Sequence, residues 1–280
     1  MYRLIHFIFY LISLLPFRAL YLLSDGLYVV LFHMVGYRRK VVEKNLRMAF
    51  ADKTDNDRLL IEHKFYHWLC DYFVESIKLL SISKEELQRR FTIANSDEVE
   101  KCFEEGQSAA AVLGHYCNWE WLSCVGIDLP ANRVMGLVYH PLRNRYFDRL
   151  FVDLRSHMGG VPIPKQDILR YLVKYRREGV MSLFGYISDQ GPKMNNAVFY
   201  VEMSRPKRGY YTCTYHLITR QPDSLPEHEI TRIFFQKLEQ TIRKNPEFYL
   251  WSHNRWKRTR EEFDKEYIIE NGRTIPRHQL

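Results

Sequence analysis

Two apolar runs open the chain and set its start apart from the remaining sequence. Leu4 to Leu15 is apolar except for His6 and Ser13. Pro16-Phe17-Arg18 interrupts it, and a second apolar stretch runs from Ala19 to Gly36, broken by Ser24, Asp25 and a few amphipathic residues. A spanning helix needs about 20 apolar residues, so the first run is too short alone, and Pro16 kinks any helix continued through it. The pattern fits one kinked span, a hairpin-like insertion from one face, or the buried helical hairpin of a soluble protein; the first two anchor the chain. No small-residue cleavage site is present after these runs, which argues against a removed signal peptide. Arg38-Arg39-Lys40, with Lys44 and Arg47 behind them, favours a cytoplasmic location for the rest. The expected division is a membrane anchor over 1–36 and a single domain over 37–280.

Past the anchor the apolar spacing becomes helical. Val41, Val42, Leu46 and Ala49 share one face, and Thr54 or Asp55 caps a longer helix to about Leu80, with Phe65, Trp68, Leu69, Tyr72 and Ile77 on its apolar side. Then short apolar runs alternate with helical patterns. Strands are predicted over 109–113, 133–138, 161–163 and 180–187, and helices from the turn at Gly114 to about Gly126, over 144–157 and over 168–177. Strands over 197–203 and 210–218 come next, the second alternating Tyr211, Cys213, Tyr215 and Leu217, then a helix from about Pro226 to Lys244. Such alternation predicts an α/β fold with a mostly parallel sheet flanked by helices.

Composition narrows the function class. With 46% hydrophobic and 26% charged residues the chain folds rather than staying disordered, and a mean hydropathy of −0.36 excludes a polytopic membrane protein. A net charge of +8 favours an anionic partner. The five cysteines show no C-x-x-C spacing and their count is odd, so reduced thiols are expected rather than a zinc ribbon or disulfide framework. His115, His140 and His157 include no closely spaced pair, and no metal site is expected from them.

The sharpest local signal is GHYCNWEW at 114–121, directly after the predicted strand 109–113. In open α/β sheets reactive groups collect at the carboxyl ends of strands. His115 and Glu120 lie five positions apart, about 140° around a regular helix, so they meet only if His115 sits in the turn and Glu120 in the first helical turns. An imidazole held by a carboxylate suits a general base acting on an alcohol. The other reading is a loop histidine bonded to backbone, with Glu120 in the early helical turns where a carboxylate is stabilised. Cys117 adds a third option, a thiol nucleophile of a hydrolase.

GHYCNWEW resembles the H-x4-D/E signature of the lysophospholipid acyltransferase superfamily. More closely, the chain resembles the lipid A biosynthesis lauroyl/myristoyl acyltransferases of Gram-negative bacteria, with further matching pieces YRRKVVEKNLRMAF (37–50), VYHPLRNRYFDRL (138–150), ISDQ (187–190) and FYLWSHNRWKR (248–258). The resemblance implies a glycerolphosphate-acyltransferase-like fold at the cytoplasmic face of the inner membrane. It implies transfer of a fatty acyl group from acyl carrier protein to a hydroxyl of a phosphorylated glycolipid acceptor, without metal or cofactor. His115 would be the base and Glu120 its support. Arg155, or Arg149 on the same helix, would contact a phosphate or the oxyanion, and Asn118, Asp189 and Gln190 would contact substrate. The basic-aromatic segments 205–211 and 253–260 then read as contacts to lipid headgroups, acyl carrier protein or the phosphorylated sugar, with no nucleic acid partner. One departure stands out. Family members carry a longer stretch after ISDQ, whereas nine residues, 188–196, connect the predicted strands here, fewer than the 10–12 or so of a parallel crossover. Either the strand beginning at Ala197 pairs antiparallel, or an element is lost and the sheet adapts. The shortening also leaves room for a non-catalytic lipid-binding relative.

Overall fold

Five parallel strands with a two-stranded extension form the centre of the fold. The structure is a computed structural model and describes residues 2–187, 196–256, 260–270 and 273–279. The strands are β1 (Phe91–Ala94), β2 (Ala109–Leu113), β3 (Arg133–Tyr139), β4 (Val161–Pro164), β5 (Met181–Ile187), β6 (Ala197–Lys207) and β7 (Tyr210–Thr219), ordered β1-β7-β6-β2-β5-β3-β4. β6, β2, β5, β3 and β4 are parallel; β7 returns antiparallel on β6, and β1 lies parallel to β7. β2 is central and every residue of AAAVL is buried, as expected of a parallel strand covered on both faces. The helices after the apolar start include α3 (Arg39–Ala49), α4 (Asp55–Lys78), α5 (Lys84–Arg90), α6 (Asp97–Glu104), α7 (Arg145–His157), α8 (Ile168–Arg177) and α9 (Glu229–Lys244). Thr54 and Asp57 form a reciprocal capping box that starts α4. Towards the end of the chain, β8 (Tyr267–Glu270) and β9 (Arg273–Pro276) make a separate hairpin.

Two expectations need correction. The helix expected from the turn at Gly114 to Gly126 is instead 3-10 turns over Trp119–Asp128, with Trp119 to Val125 buried on all sides. Its end abuts another turn: a Cβ on Gly126 would lie 2.5 Å from the carbonyl carbon of Gly159. Packing from every direction, not one amphipathic face, shapes this segment. The second correction concerns β6, which pairs antiparallel with β7 but parallel with β2. Ile187 sits opposite Leu113 and Ala197 opposite Ala109, so residues 188–196 connect opposite ends of strands on either side of β2. Five residues of rise and two strand spacings amount to roughly 19 Å, within the roughly 30 Å that such a stretch can cover when extended. The 10–12-residue minimum applies to crossovers that contain a helix.

The apolar start forms α1 (Tyr2–Ser13) and α2 (Phe17–Tyr28), broken at Pro16 as the sequence predicts. α2 continues as π-helical turns over Val29–Val35, and Gly36 ends them with φ +61°. Phe17–Val35 is long and apolar enough to cross a membrane by length and composition. Its inner side, however, lies along α4. Lys78 Nζ donates to the carbonyls of Ser13 (2.7 Å) and Leu15 (3.0 Å), Tyr21 Oη to Glu75 (2.9 Å) and Ser24 Oγ to Asp71 (2.6 Å). α1 reaches α7, where Tyr2 Oη donates to Asp153 and the Phe9 and Phe147 rings meet edge to face. Phe7, Leu11, Leu22, Val30, Met34 and Val35 face outward, exposed.

Candidate active site at the carboxyl edge of the sheet

β2, β5 and β3 end side by side, and a cavity of about 500 Å³ opens at their carboxyl edge, lined by His115, Tyr139 and Tyr186 from the three strand ends and by Glu120 and Arg155. The His115 turn is held from several directions. Gly114 is closely covered by α9: a Cβ there would lie 2.6 Å from Leu238 Cδ1, so the leucine side chain would have to move. Cys117 takes a left-handed φ of +55°. The closing segment clamps the turn through its backbone: Leu250 N–H donates to the His115 carbonyl (3.1 Å) and Cys117 N–H to the Phe248 carbonyl (2.7 Å). Asn45, on α3 (Arg39–Ala49), in turn donates to the carbonyls of Trp251 (2.6 Å) and His253 (2.8 Å). Three of the sequence pieces, 37–50, 114–121 and 248–258, thus form one chain of contacts that ends at His115.

The imidazole of His115 meets Trp119 edge to face with centroids 5.2 Å apart, and its ring makes no hydrogen bond among the described residues. Burial, with the positive charge of Arg255 and His253 nearby, pulls its pKa down to about 4, against a smaller upward pull from Glu120. It is therefore neutral at physiological pH. Glu120 does not hydrogen-bond the ring. Its carboxylate accepts from Arg155 Nε and Nη2, both at 2.8 Å, from Trp119 Nε1 (3.2 Å) and, more weakly, from Tyr72 Oη (3.5 Å). The Glu120 and Arg155 side chains are 3% and 15% exposed, so this is a nearly dry, two-pronged ion pair. Arg155 Nη1 carries no hydrogen bond among the described residues, and the guanidinium lies beside the rings of Tyr139 and Phe151.

The remaining expected residues are spread out. Arg149 is exposed on α7, with its guanidinium 4.5 Å from the Tyr2 ring centre, and does not line the cavity. Asn118 is fully buried, donates to Glu75 (3.2 Å) and is likewise absent from the cavity wall. Asp189 and Gln190 lie outside the described residues. Sequence reading missed Tyr72, Tyr139, His140, Phe151, Lys165 and Tyr186, all of which line the cavity. A usable signal existed for Tyr139, His140 and Tyr186, which stand at or just past the carboxyl ends of parallel strands. No group of three or more His, Cys, Asp or Glu able to hold a metal occurs among the described residues. The chain does hold one H-x-x-x-H pair that the expectation of no metal overlooked, His63 and His67 on α4, and it packs on Tyr28 and Phe32.

Cys117 is sealed, and burial pushes its thiol up to about 12, which leaves almost no thiolate at neutral pH. In an assay of the acyl transfer that the family resemblance implies, Cys117→Ala is expected to hold the initial rate within about threefold of the unmodified chain; loss of activity on this change alone would instead identify a thiol nucleophile.

The family described as bacterial lipid A biosynthesis acyltransferase matches over residues 2–200 and 191–258. The chain belongs to this family. A lipid A biosynthesis acyltransferase of Haemophilus influenzae is 24% identical over 194 residues, covering 69% of this chain and 59% of its own length. The chain thus aligns with about three-fifths of that curated relative. The two stretches matching the acyltransferase family overlap at 191–200, where the short connection enters β6.

Proposed function

We propose that this chain transfers a fatty acyl group from an acyl-carrier-protein thioester to a hydroxyl of a phosphorylated lipid A precursor, at the cytoplasmic face of a bacterial inner membrane. The observation that carries the reading is a neutral imidazole, free of hydrogen bonds to described residues, facing a cavity beside a buried carboxylate–guanidinium pair. The acceptor hydroxyl gives its proton to His115 as its oxygen attacks the thioester carbonyl. The C–O bond forms, the carbonyl electrons move onto oxygen, and Arg155 Nη1 is the available donor for that oxyanion. Collapse breaks the C–S bond, and the departing thiolate takes the proton back from the imidazolium. Glu120 favours the transient imidazolium through its charge and holds Arg155 in place.

Several features support the substrate class. Val138, Phe151 and Ile187 supply apolar wall for an acyl chain, while Lys165 on the wall and Arg255 near His115 add positive charge, which favours a phosphorylated acceptor, beside the single wall carboxylate of Asp148 that is not paired with Arg155. The outward apolar faces of α1 and α2 support membrane association. Because α2 lies lengthwise on α4, insertion into one leaflet fits better than a span. α1 contacts α7, which carries Arg155, so a bilayer at α1 would lie near the cavity.

The direct test incubates the purified chain, in micelles, with acyl carrier protein loaded with a fatty acid and with a lipid A precursor. One added acyl group, seen by mass spectrometry, supports the proposal. Absence of transfer with a folded protein and several acyl lengths would favour the non-catalytic lipid-binding reading. The pH dependence is a second check. A base whose pKa is near 4 is about 97% neutral at pH 5.5, against about 9% for an ordinary imidazole. The acid limb of kcat/KM, which reports the free enzyme, is expected well below pH 6; a midpoint near 6.5 would show that the imidazole is not held as described.

A further inference from the structure

Behind the His115 turn, and not on the cavity wall, α4 carries two acids one helical turn apart, Asp71 and Glu75, which are 3% and 0% exposed. Glu75 accepts hydrogen bonds from four separate parts of the chain. These are Tyr21 Oη of α2 (2.9 Å), Asn118 Nδ2 (3.2 Å), Arg205 Nη2 of β6 (3.3 Å) and Tyr211 Oη of β7. Asp71 accepts from Ser24 (2.6 Å), Arg205 (2.7 Å) and Arg208 (2.6 Å). Ions buried in this way stabilise a fold less than an apolar filling of the same volume does. What such a cluster supplies well is position, because each partner must lie at hydrogen-bond distance in a set direction.

Asn118 is the donor that matters for the chemistry. It stands between His115 and Glu120, comes directly after the left-handed Cys117, and accepts the Trp121 N–H (3.1 Å) at the start of the turns that carry Glu120. Its bond to Glu75 is its one side-chain hydrogen bond among the described residues, and its Oδ1 is buried without a partner. We infer that Glu75 is a positioning residue, which through Asn118 sets the turn presenting His115 and Glu120 to the cavity. The inference rests on the proposal that His115 is the general base.

The test uses the full chain in detergent micelles with Asn118→Ala and Glu75→Met. The second variant keeps a side chain of similar length, offers Asn118 no acceptor and leaves Arg205 paired with Asp71, so it serves if the first does not fold. Two quantities are read: steady-state transfer, and the NMR titration of the His115 ring, assigned by its loss in His115→Ala. A misplaced reacting group costs about 10²-fold in rate, so kcat is expected to fall about 10- to 100-fold with KM within about threefold. The His115 titration midpoint is expected to rise by about one pH unit or more, towards the ordinary value near 6.5, as water reaches the loosened turn. A midpoint unchanged in the folded variants overturns the inference, whatever the rates. Transfer that survives His115→Ala would reject the general-base proposal alone, because the titration still decides whether Glu75 positions the ring.

Discussion

His115→Ala is expected to lower the rate of acyl transfer by about 10²- to 10⁴-fold, the range that a positioned general base contributes, or roughly 3–5 kcal/mol of transition-state stabilisation. The loss should fall on kcat. The ring makes no hydrogen bond among the described residues, so its removal leaves none of them unpaired, and the protein should melt near the wild-type temperature. Only the edge contact with Trp119 and part of the cavity wall are lost. The measurement is the initial rate with acyl carrier protein as donor, alongside a thermal melt. A variant that transfers at the wild-type rate would end the general-base proposal, and one that no longer folds would recast His115 as a structural residue.

The second large effect concerns stability. Arg155→Ala strands the Glu120 carboxylate, which is 3% exposed and loses both charged donors. Breaking one side of a buried pair costs about 3–5 kcal/mol, enough to lower Tm by about 10 °C in a protein of this size. Removing the charge as well should recover much of that. Glu120→Gln combined with Arg155→Met keeps an acceptor for Trp119 and Tyr72 and replaces the guanidinium with an apolar chain among aromatic rings. The double variant is expected to melt within a few degrees of wild type yet remain inactive, since neither the proposed oxyanion donor nor the carboxylate charge near His115 is left. A single Arg155→Ala variant with unchanged Tm would mean that water reaches Glu120 freely, contrary to its burial.

These two expectations depend on different levels of information. GHYCNWEW after a buried strand was enough to put His115 and Glu120 at a strand's carboxyl end, and the helical spacing over 144–157 put Arg155 on a neighbouring helix. The partnership between Glu120 and Arg155 was not legible, because 35 positions separate them and only the packing of α7 against the turns after β2 brings them together. The same holds for Asn118. A motif shows it between His115 and Glu120, yet its side chain turns away from the cavity and bonds a carboxylate on α4. Lys165 comes after a four-residue strand with nothing distinctive around it.

By itself the sequence determined the alternation of strands and helices from 133 to 244, the break at Pro16, the cap of α4, and the place of His115 just past the carboxyl end of a buried strand. These are properties of neighbouring residues, set by side-chain period, turn preference and the missing N–H of proline. Tertiary structure alone decided which donors Glu120 took, that the segment after His115 wound as 3-10 turns, that residues 188–196 join strands parallel across β2, and that α2 lies along α4. The reason is common to all four. Each outcome depends on which polar groups and surfaces remain without water once distant segments meet, and that competition is settled only when the chain has packed.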